Sequence, residues 1–138
     1  MALNTQVSDT AAAAEANALG PLLNAGFIDI YDGAQPANAN TAVSTQVKGV
    51  RLTFGATAFA TSTNGVLTAN AITSGTASAT ITATWFRALK SDGTTVVMDG
   101  TVGTATSNLI LPTTAISSGV TVSCSSFTHT IQKATSGL

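Results

Sequence analysis

Apolar and polar residues alternate along most of the chain after residue 26, which is the pattern of half-buried β-strands. In GFIDIYDG, Ile28 and Ile30 fall on one face of the strand, while Asp29 and Tyr31 fall on the other. The same character runs through VKGVRLTF, TITATWFRALK, SNLILP and VTVSCSSFTHTIQK, the last for more than ten residues. The pattern predicts about eight or nine short strands separated by turns.

Asn64-Gly65 is the strongest short hairpin signal. A type I′ turn needs positive φ at both central residues, and asparagine and glycine adopt it at little cost. The pair predicts a hairpin between ATAFATST and VLTANAIT. The stretch AQPANANTAVST, which contains Pro36, is typical of a loop.

WFRALKSDGTTVVMDG, residues 85–100, predicts a second hairpin, with its turn at Asp92-Gly93. Two Asp-Gly pairs and two cationic side chains, Arg87 and Lys90, stand out here in a chain with few charges. The predicted cross-strand pairs are Leu89 with Val96, Ala88 with Val97, Arg87 with Met98 and Phe86 with Asp99. We interpret the stretch as architecture.

SDTAAAAEANALGPLL, residues 8–23, is the segment that predicts a helix. Ser8 or Asp9 can cap its start, alanine is the best helix former, and Gly20-Pro21 ends it. An alanine-rich helix of about three turns is marginally stable alone, so it must dock on its own domain or on a neighbouring subunit.

Many short strands with no helix between them argue against a parallel α/β sheet and favour a mainly β fold. We expect an antiparallel β-sandwich of the jelly-roll or immunoglobulin-like kind with a short N-terminal helical arm. At 138 residues the chain fits one core, which we divide into the arm, residues 1–24, and the sandwich, residues 25–138.

Charged residues make up 8% of the chain, against about a quarter in ordinary globular proteins. The polar surface must therefore come mostly from threonine and serine. With so few charges to keep copies apart, a monomer would risk self-association through strand edges and apolar patches. We expect much of the surface to contact other protein.

The net charge is −1 and the five Lys and Arg residues form no cluster, which argues against nucleic-acid binding. The sequence shows no cationic amphipathic helix, no apolar leader and no run of about 18 apolar residues. Its single cysteine, Cys124, cannot form an internal disulfide. We expect a protein made in a reducing cytoplasm that neither binds nor spans a membrane.

Candidate catalytic residues find little support. Asp92 and Asp99 would lie roughly 15 to 20 Å apart along the hairpin, whereas a glycosidase-type acid/base pair needs about 5 to 10 Å. His129 is the only histidine, and no nucleophile elbow accompanies it. Cys124 and His129 point to opposite strand faces, which does not suit a metal site. We predict no catalytic, metal-binding or cofactor-binding residue, and no enzyme.

Calcium and sugar sites are equally weakly indicated. Asp29, Asp32 and Gly33 in DIYDG lack the alternating acidic ligands of a calcium loop. Trp85 and Phe86 are adjacent on a strand and point to opposite faces, whereas a sugar-binding face commonly combines several exposed aromatics.

The runs GFIDIYDGAQPANANTAVSTQ, LTFGATAFA and NGVLTANAITSGTASATITATWFRALKSDGTTVVMDGTVGT, with the closing SSFTHTI, resemble a family of small structural-module proteins of tailed bacteriophages and prophages. The resemblance extends from about residue 22 to residue 132. Its most specific parts are IYDGAQPA and ATWFRALKSDGTTVVMDG.

The resemblance implies a virion protein on the capsid surface, made in the host cytoplasm, that decorates the head and cements the shell by binding the major capsid protein. By analogy we expect a homotrimer, whose closed symmetry hides strand edges. No cofactor is implied. The alternatives are a tail, neck or fibre-associated virion protein and a virion-displayed carbohydrate-binding module.

The N-terminal arm supplies the candidate docking residues. We expect its apolar side chains to order against the neighbouring subunit, namely Leu3, Val7, Leu19, Leu22 and Leu23. The alternative is that the helix caps the sandwich of its own chain.

Overall fold

A computed structural model describes residues 3–134 of the chain. These residues contain one α-helix, α1 (Asp9–Leu19), which continues as the 3₁₀ turn Gly20–Leu23. The twelve strands that follow are β1 (Phe27–Tyr31), β2 (Lys48–Phe54), β3 (Val66–Thr68), β4 (Ile72–Thr73), β5 (Gly75–Thr76), β6 (Ile81–Thr82), β7 (Trp85–Leu89), β8 (Val96–Gly103), β9 (Leu109–Ile110), β10 (Ala115–Ile116), β11 (Thr121–Val122) and β12 (Ser126–Thr130).

Helix α1 begins where the sequence predicts. The side chain of Ser8 accepts a hydrogen bond of 3.1 Å from the N–H of Ala11, which satisfies one free donor of the first turn. The α-helix ends at Leu19, because Pro21 lacks the N–H that the next α-helical bond would need. Ala16 is fully buried in the core of its own chain, so the helix docks on its own domain.

Eight strands form one sheet in the order β3-β12-β9-β8-β7-β1-β2-β4. Neighbouring strands are antiparallel except β8 and β9, which are parallel. The rings of Phe54 in β2 and Phe127 in β12 lie 5.7 Å apart, although the two strands are near opposite ends of the sheet. The mainly β fold is confirmed, in the form of a curled, mixed half-barrel, whereas the antiparallel sandwich expected from the strand pattern is not confirmed.

The curl follows from how the chain joins the two ends of the sheet. The end strands β3 and β4 are consecutive, and only residues 69–71 separate them. A flat sheet of eight strands would hold its ends about 34 Å apart. The short connection spans at most about 14 Å. The sheet must therefore bend until its ends meet.

The parallel pair comes from a short reversal of the chain. Strands β8 and β9 share only two residue pairs, so residues 104–108 need to return the chain by only about 7 Å. Longer parallel strands need a crossover of about a dozen residues. The hydroxyl of Thr101 donates a hydrogen bond of 3.2 Å to the side chain of Asn108, which holds the reversal in place.

Two small sheets, β6 with β10 and β5 with β11, complete the core. Ile81, Ile116 and Val122 from these sheets are buried in the main hydrophobic cluster. Gly49 permits the close approach of β2 to β6, because a Cβ there would lie 2.4 Å from Cδ1 of Ile81.

The run VTVSCSSFTHTIQK forms two strands that belong to different sheets, β11 and β12, so the prediction of one long strand was wrong.

The turn at Asn64-Gly65 also differs from the prediction. Gly65 has a φ of 91°, but Asn64 does not have a positive φ, so the turn is not of type I′. The N–H of Gly65 donates a 2.9 Å hydrogen bond to the hydroxyl of Ser62. The backbone of Ser62 is in turn bound to the side chain of Asn17 in α1 at 2.8 and 2.9 Å. Contacts with the helix thus shape this turn.

An aromatic cluster holds the curled sheet together. The ring of Phe127 lies 5.1 to 5.7 Å from the rings of Phe54, Phe59 and Phe86, which links β12 to β2 and β7. Leu23 of the arm belongs to the same hydrophobic cluster. The arm and the strands therefore share one core.

Replacing Phe127 with alanine is expected to lower the free energy of unfolding by about 3–5 kcal/mol, because the residue is 1% exposed. Thr128, the next residue, is exposed and gives the matched control: Thr128→Ala should cost less than about 1 kcal/mol. Urea unfolding measures both changes. Equal losses would contradict the role of Phe127 as the link across the curl.

Candidate functional site

The β7–β8 hairpin departs from its predicted register after the first pair. Leu89 lies opposite Val96, as predicted. A bulge at the next residue of β8 then shifts the register by one, so that Arg87 faces Asp99 and not Met98. The predicted pairs of Ala88, Arg87 and Phe86 were therefore wrong: Ala88 faces Met98 and Phe86 faces Gly100. The shift turns a carboxylate toward the guanidinium and a methionine toward the core.

Four charged side chains form a row across adjacent strands, which we call the charge row. It consists of Arg51 in β2, Asp29 in β1, Arg87 in β7 and Asp99 in β8, each opposite the next. Arg51 donates to both carboxylate oxygens of Asp29 at 2.6 and 2.8 Å. Arg87 donates to both oxygens of Asp99 at 2.7 and 2.8 Å. Such bidentate pairs combine strength with a fixed geometry.

Three members of the charge row are buried. The exposed fractions of the side chains are 4% for Asp29, 6% for Arg87 and 3% for Asp99, against 35% for Arg51. The hydrogen bond to Asp99 raises the pKa of Arg87, and the hydrogen bond to Asp29 raises the pKa of Arg51. Within residues 3–134, no fully buried side-chain polar atom lacks a hydrogen-bond partner. The row is thus a satisfied internal network.

The loop between β1 and β2, residues 32–47, is fastened to the same strands. Arg87 donates a hydrogen bond of 2.7 Å to the carbonyl oxygen of Thr41. The indole N–H of Trp85 donates one of 3.0 Å to the carbonyl oxygen of Asp32. Charge row and loop therefore form one connected unit.

Tyr31 and Trp85 extend this unit along the strands. Their rings stack at a centroid distance of 4.6 Å, and the guanidinium of Arg87 lies 5.5 Å from the Trp85 ring. Burial, followed by the nearby charge of Asp29, raises the pKa of Tyr31. Trp85 is fully buried, so it cannot serve as an exposed platform for a sugar ring.

The charge row was not predicted from the sequence, although the sequence contains a signal for it. Asp29 stands between two isoleucines, and Arg51 stands between Val50 and Leu52. A charge in the middle of an apolar strand must find a partner, because an unpaired buried charge is strongly destabilising. The partner strand itself could not be read from the sequence.

His129 and Cys124 lie in and before β12, outside the charge row. Burial lowers the pKa of His129 and raises the pKa of the Cys124 thiol to about 11. Both side chains are therefore largely uncharged at neutral pH. In the described part of the chain, no group of three or more His, Cys, Asp or Glu residues could hold a metal ion.

The structure places the five predicted docking residues in different environments. Leu23 is fully buried in its own core, and Leu19 packs against that core. The N–H of Val7 donates a 2.9 Å hydrogen bond to the C-terminal segment. Leu22 is 44% exposed and Leu3 is 80% exposed. Leu3 and Leu22 are therefore the members of the set that offer most apolar surface to a partner.

A groove of about 240 Å³ lies between the C-terminal half of α1 and residues 57–61, and we call it the α1 groove. Phe59 and Leu67 line the groove but are only 6% and 1% exposed, and no lining residue is charged. The side chain of Asn24 accepts a 2.9 Å hydrogen bond from the N–H of Ala58 and so ties the two walls together.

Comparison with protein-family models, with curated proteins and with solved structures found no match for this chain. The resemblance to phage structural-module proteins therefore stays a prediction. No helix between residues 3 and 134 is long and apolar enough to cross a membrane.

Removing one member of the Arg87–Asp99 pair is expected to cost about 3–5 kcal/mol of unfolding free energy, because the other charge stays buried alone. Arg87→Met and Asp99→Leu test this in urea unfolding. Combining them should recover much of the loss, since no unpaired charge remains.

The exposed Lys133–Asp9 pair is the matched control for this cycle. Its side chains are 38% and 69% exposed, so Lys133→Met should cost less than about 1 kcal/mol. Simple addition of the two single losses in the double variant would contradict mutual compensation within the charge row.

The predicted turn at Asp92-Gly93 is confirmed, with a φ of 74° at the glycine. The carboxylate of Asp92 accepts hydrogen bonds from the N–H groups of Thr94 and Thr95 at 2.9 and 2.8 Å, and from the Thr95 hydroxyl. These bonds, that of the hydroxyl foremost, lower the pKa of Asp92 to about 2. The carboxylate of Asp92 thus stabilises the turn.

An NMR titration should therefore give Asp92 a midpoint of about 2, and Thr95→Val should raise it toward the usual value. Thr94→Val is the control with a smaller shift. Because the folded pKa lies below the unfolded one, this stabilisation is present above the unfolded value and is lost as pH falls through about 2. A midpoint unmoved by Thr95→Val would contradict the hydroxyl's role.

Proposed function

We propose that this chain is a structural protein of a tailed-bacteriophage virion, which decorates the head and stabilises the capsid shell through protein–protein contacts. The observation that carries the proposal is the placement of the charges. Within residues 3–134, four ion pairs engage seven of the eleven Asp, Glu, Lys and Arg residues of the chain. Three of these side chains are buried, and the exterior consists mostly of threonine, serine, alanine and asparagine with a few charged side chains among them, such as Glu15 and Asp92.

A neutral exterior suits a protein that buries much of its surface against other proteins. The centres of protein interfaces are depleted in Lys, Glu and Asp, because each buried charge must be stripped of water. Small neutral side chains carry a smaller desolvation cost. The same exterior gives a free monomer little electrostatic protection against association. Both properties are expected of a protein that functions as part of an assembly.

The resemblance to phage structural-module proteins supports placing the proposed assembly in a bacteriophage virion. Its two most specific stretches, IYDGAQPA and ATWFRALKSDGTTVVMDG, cover the end of β1, the start of the loop, β7 and part of β8. These strands are neighbours in the sheet, and the two stretches contain two members of the charge row, Arg87 and Asp99. The resemblance thus rests on residues with a defined structural role.

A decoration protein acts by mass action at an interface. A partner that binds only the assembled shell stabilises that shell in proportion to its occupancy and affinity. Contacts of standard size, about 1,600 Å² each, with neighbouring copies of the major capsid protein would oppose separation of the capsomers. A homotrimer with closed symmetry is the form we propose for the bound protein.

Quantitative mass spectrometry of purified virions, normalised to the major capsid protein, tests the proposal. We expect hundreds of copies per particle, in a simple ratio to the capsid subunit. Particles lacking the protein should release their DNA at a lower temperature than particles to which the purified protein has been added back.

A dozen copies or fewer would overturn the head proposal in favour of a tail, neck or fibre position. Absence from the virion would overturn the structural proposal altogether. Selective binding to a glycan array at normal copy number would instead assign the protein to the sugar-binding class.

A further inference from the structure

We infer that Asn64-Gly65 is a deamidation site that the folded chain keeps closed, with Ser62 as the residue that blocks the reaction. The inference concerns a chemical modification of this turn, so it does not depend on the proposed role in a virion. It rests on three features of the turn: the exposure of Asn64, the hydrogen bonds of Gly65 and the packing of helix α1 against that glycine.

Asn64 carries the most reactive side chain of its kind in the sequence. Glycine after an asparagine favours deamidation, because a residue without a Cβ leaves its backbone nitrogen accessible and its dihedral angles free. The other aspartate or asparagine residues that precede a glycine are Asp32, Asp92 and Asp99. A carboxylate is a poorer electrophile than a neutral amide. Asn64 is also exposed, so water can reach its side chain.

The reaction needs only the chain and water. The backbone nitrogen of Gly65 attacks Cγ of Asn64, and a bond forms between these two atoms. The bond from Cγ to the side-chain nitrogen breaks, and that nitrogen leaves as ammonia with the proton of the Gly65 N–H. Water then opens the resulting five-membered imide at one of its two carbonyls, which gives aspartate or isoaspartate.

The attacking nitrogen is not free in the folded turn. The N–H of Gly65 donates a 2.9 Å hydrogen bond to the hydroxyl of Ser62. In the imide, Cγ of Asn64 takes the place of that proton, so Ser62 occupies the direction from which Cγ must approach. The side-chain oxygen of Asn64 accepts a 3.1 Å hydrogen bond from the N–H of Val66, and the carbonyl of Gly65 accepts one of 2.8 Å from Ile131. Ring closure therefore requires the turn to open.

Helix α1 keeps the blocking hydroxyl in position. Ser62 is 6% exposed, and its backbone is bound to the side chain of Asn17 at 2.8 and 2.9 Å. Gly65 lies directly against the helix, because a Cβ there would be 2.6 Å from Cβ of Ala12. The reaction must therefore wait for a local opening at the contact between α1 and the turn, and its rate should follow the frequency of that opening.

The two products should affect this contact differently. Isoaspartate adds one carbon atom to the backbone between residue 64 and Gly65, which has no room to shift because it lies against Ala12. Aspartate leaves the backbone unchanged and keeps an oxygen that can accept the hydrogen bond from Val66. Conversion to isoaspartate is therefore expected to release α1 from the turn, whereas conversion to aspartate is not.

Peptide-mapping mass spectrometry of the purified chain, held in mildly alkaline buffer, is the first test. The reference is a synthetic peptide of residues 60–69, which carries the same pair without the contacts to α1. We expect the folded chain to deamidate at residue 64 at least about tenfold more slowly than the peptide. The ratio of the two rates should match the hydrogen-exchange protection factor of the Gly65 amide, because both reactions need the same bond to break.

Substitutions then identify the blocking residue. Ser62→Ala should accelerate deamidation roughly two- to tenfold, the range expected for loss of one hydrogen bond. Asn108→Ala is the matched control, since it removes side-chain hydrogen bonds of 3.2 and 3.3 Å to Thr101, outside this turn, and should leave the rate unchanged. Asn64→Gln should stop the reaction at this position, because its side chain would have to close a six-membered ring.

Hydrogen exchange of the isolated isoaspartate form tests the consequence. Amides of residues 12–16 in α1 should exchange faster than in the unmodified chain, while Asn64→Asp, which has the charge but the normal backbone, should retain their protection.

Equal rates in the folded chain and the peptide, or an unchanged rate in Ser62→Ala, would overturn the inference. So would equal acceleration by Asn108→Ala, or an isoaspartate form in which α1 keeps its full protection.

Discussion

The pairing of buried charges across the middle of the sheet is the constraint on which the rest of this structure depends. An arginine or aspartate placed inside an apolar strand is tolerated only where an opposite charge lies beside it. The charge row meets that condition at three successive strand pairs, from β2 through β1 and β7 to β8. A slip of one residue in any pair would carry a charge toward the hydrophobic core. The row therefore fixes the register of four strands at once.

The curl of the sheet builds on that fixed centre. The bulge in β8 lets Asp99 meet Arg87, and bulges also increase the local twist of a sheet. The opposite face of the same strands presents isoleucine, leucine and phenylalanine, which need a second layer to cover them. Phe127 and its ring neighbours supply it by bringing the ends of the sheet together. Ion pairing on one face of the sheet and aromatic packing on the other face thus both stabilise the curl of the sheet.

Local features of this fold could be predicted from the sequence, whereas long-range ones could not. The helix cap at Ser8 and the strands β1, β2 and β7 follow from propensity and alternation, which depend on neighbouring residues alone. The division of VTVSCSSFTHTIQK into two strands depends on which distant strands each half meets. The register at Arg87 depends on where Asp99 finds its counterion, because electrostatic pairing here outweighed the regular hairpin pattern. The α1 groove is a product of tertiary packing and leaves no local pattern.

The small number of charged residues affects both the interior and the exterior of the protein. A chain that uses four of its eleven charged residues to fix strand register needs neutral hydroxyl and amide groups to keep its surface compatible with water. Those groups keep the protein hydrated but do not keep copies of it apart, since they carry no long-range repulsion. Any association between copies would then be governed by local contacts, such as those of the exposed Leu3 and Leu22, and not by the overall field of the molecule. A weakly charged surface suits the shell role proposed above, because closely packed neighbours of like charge would repel one another at every contact.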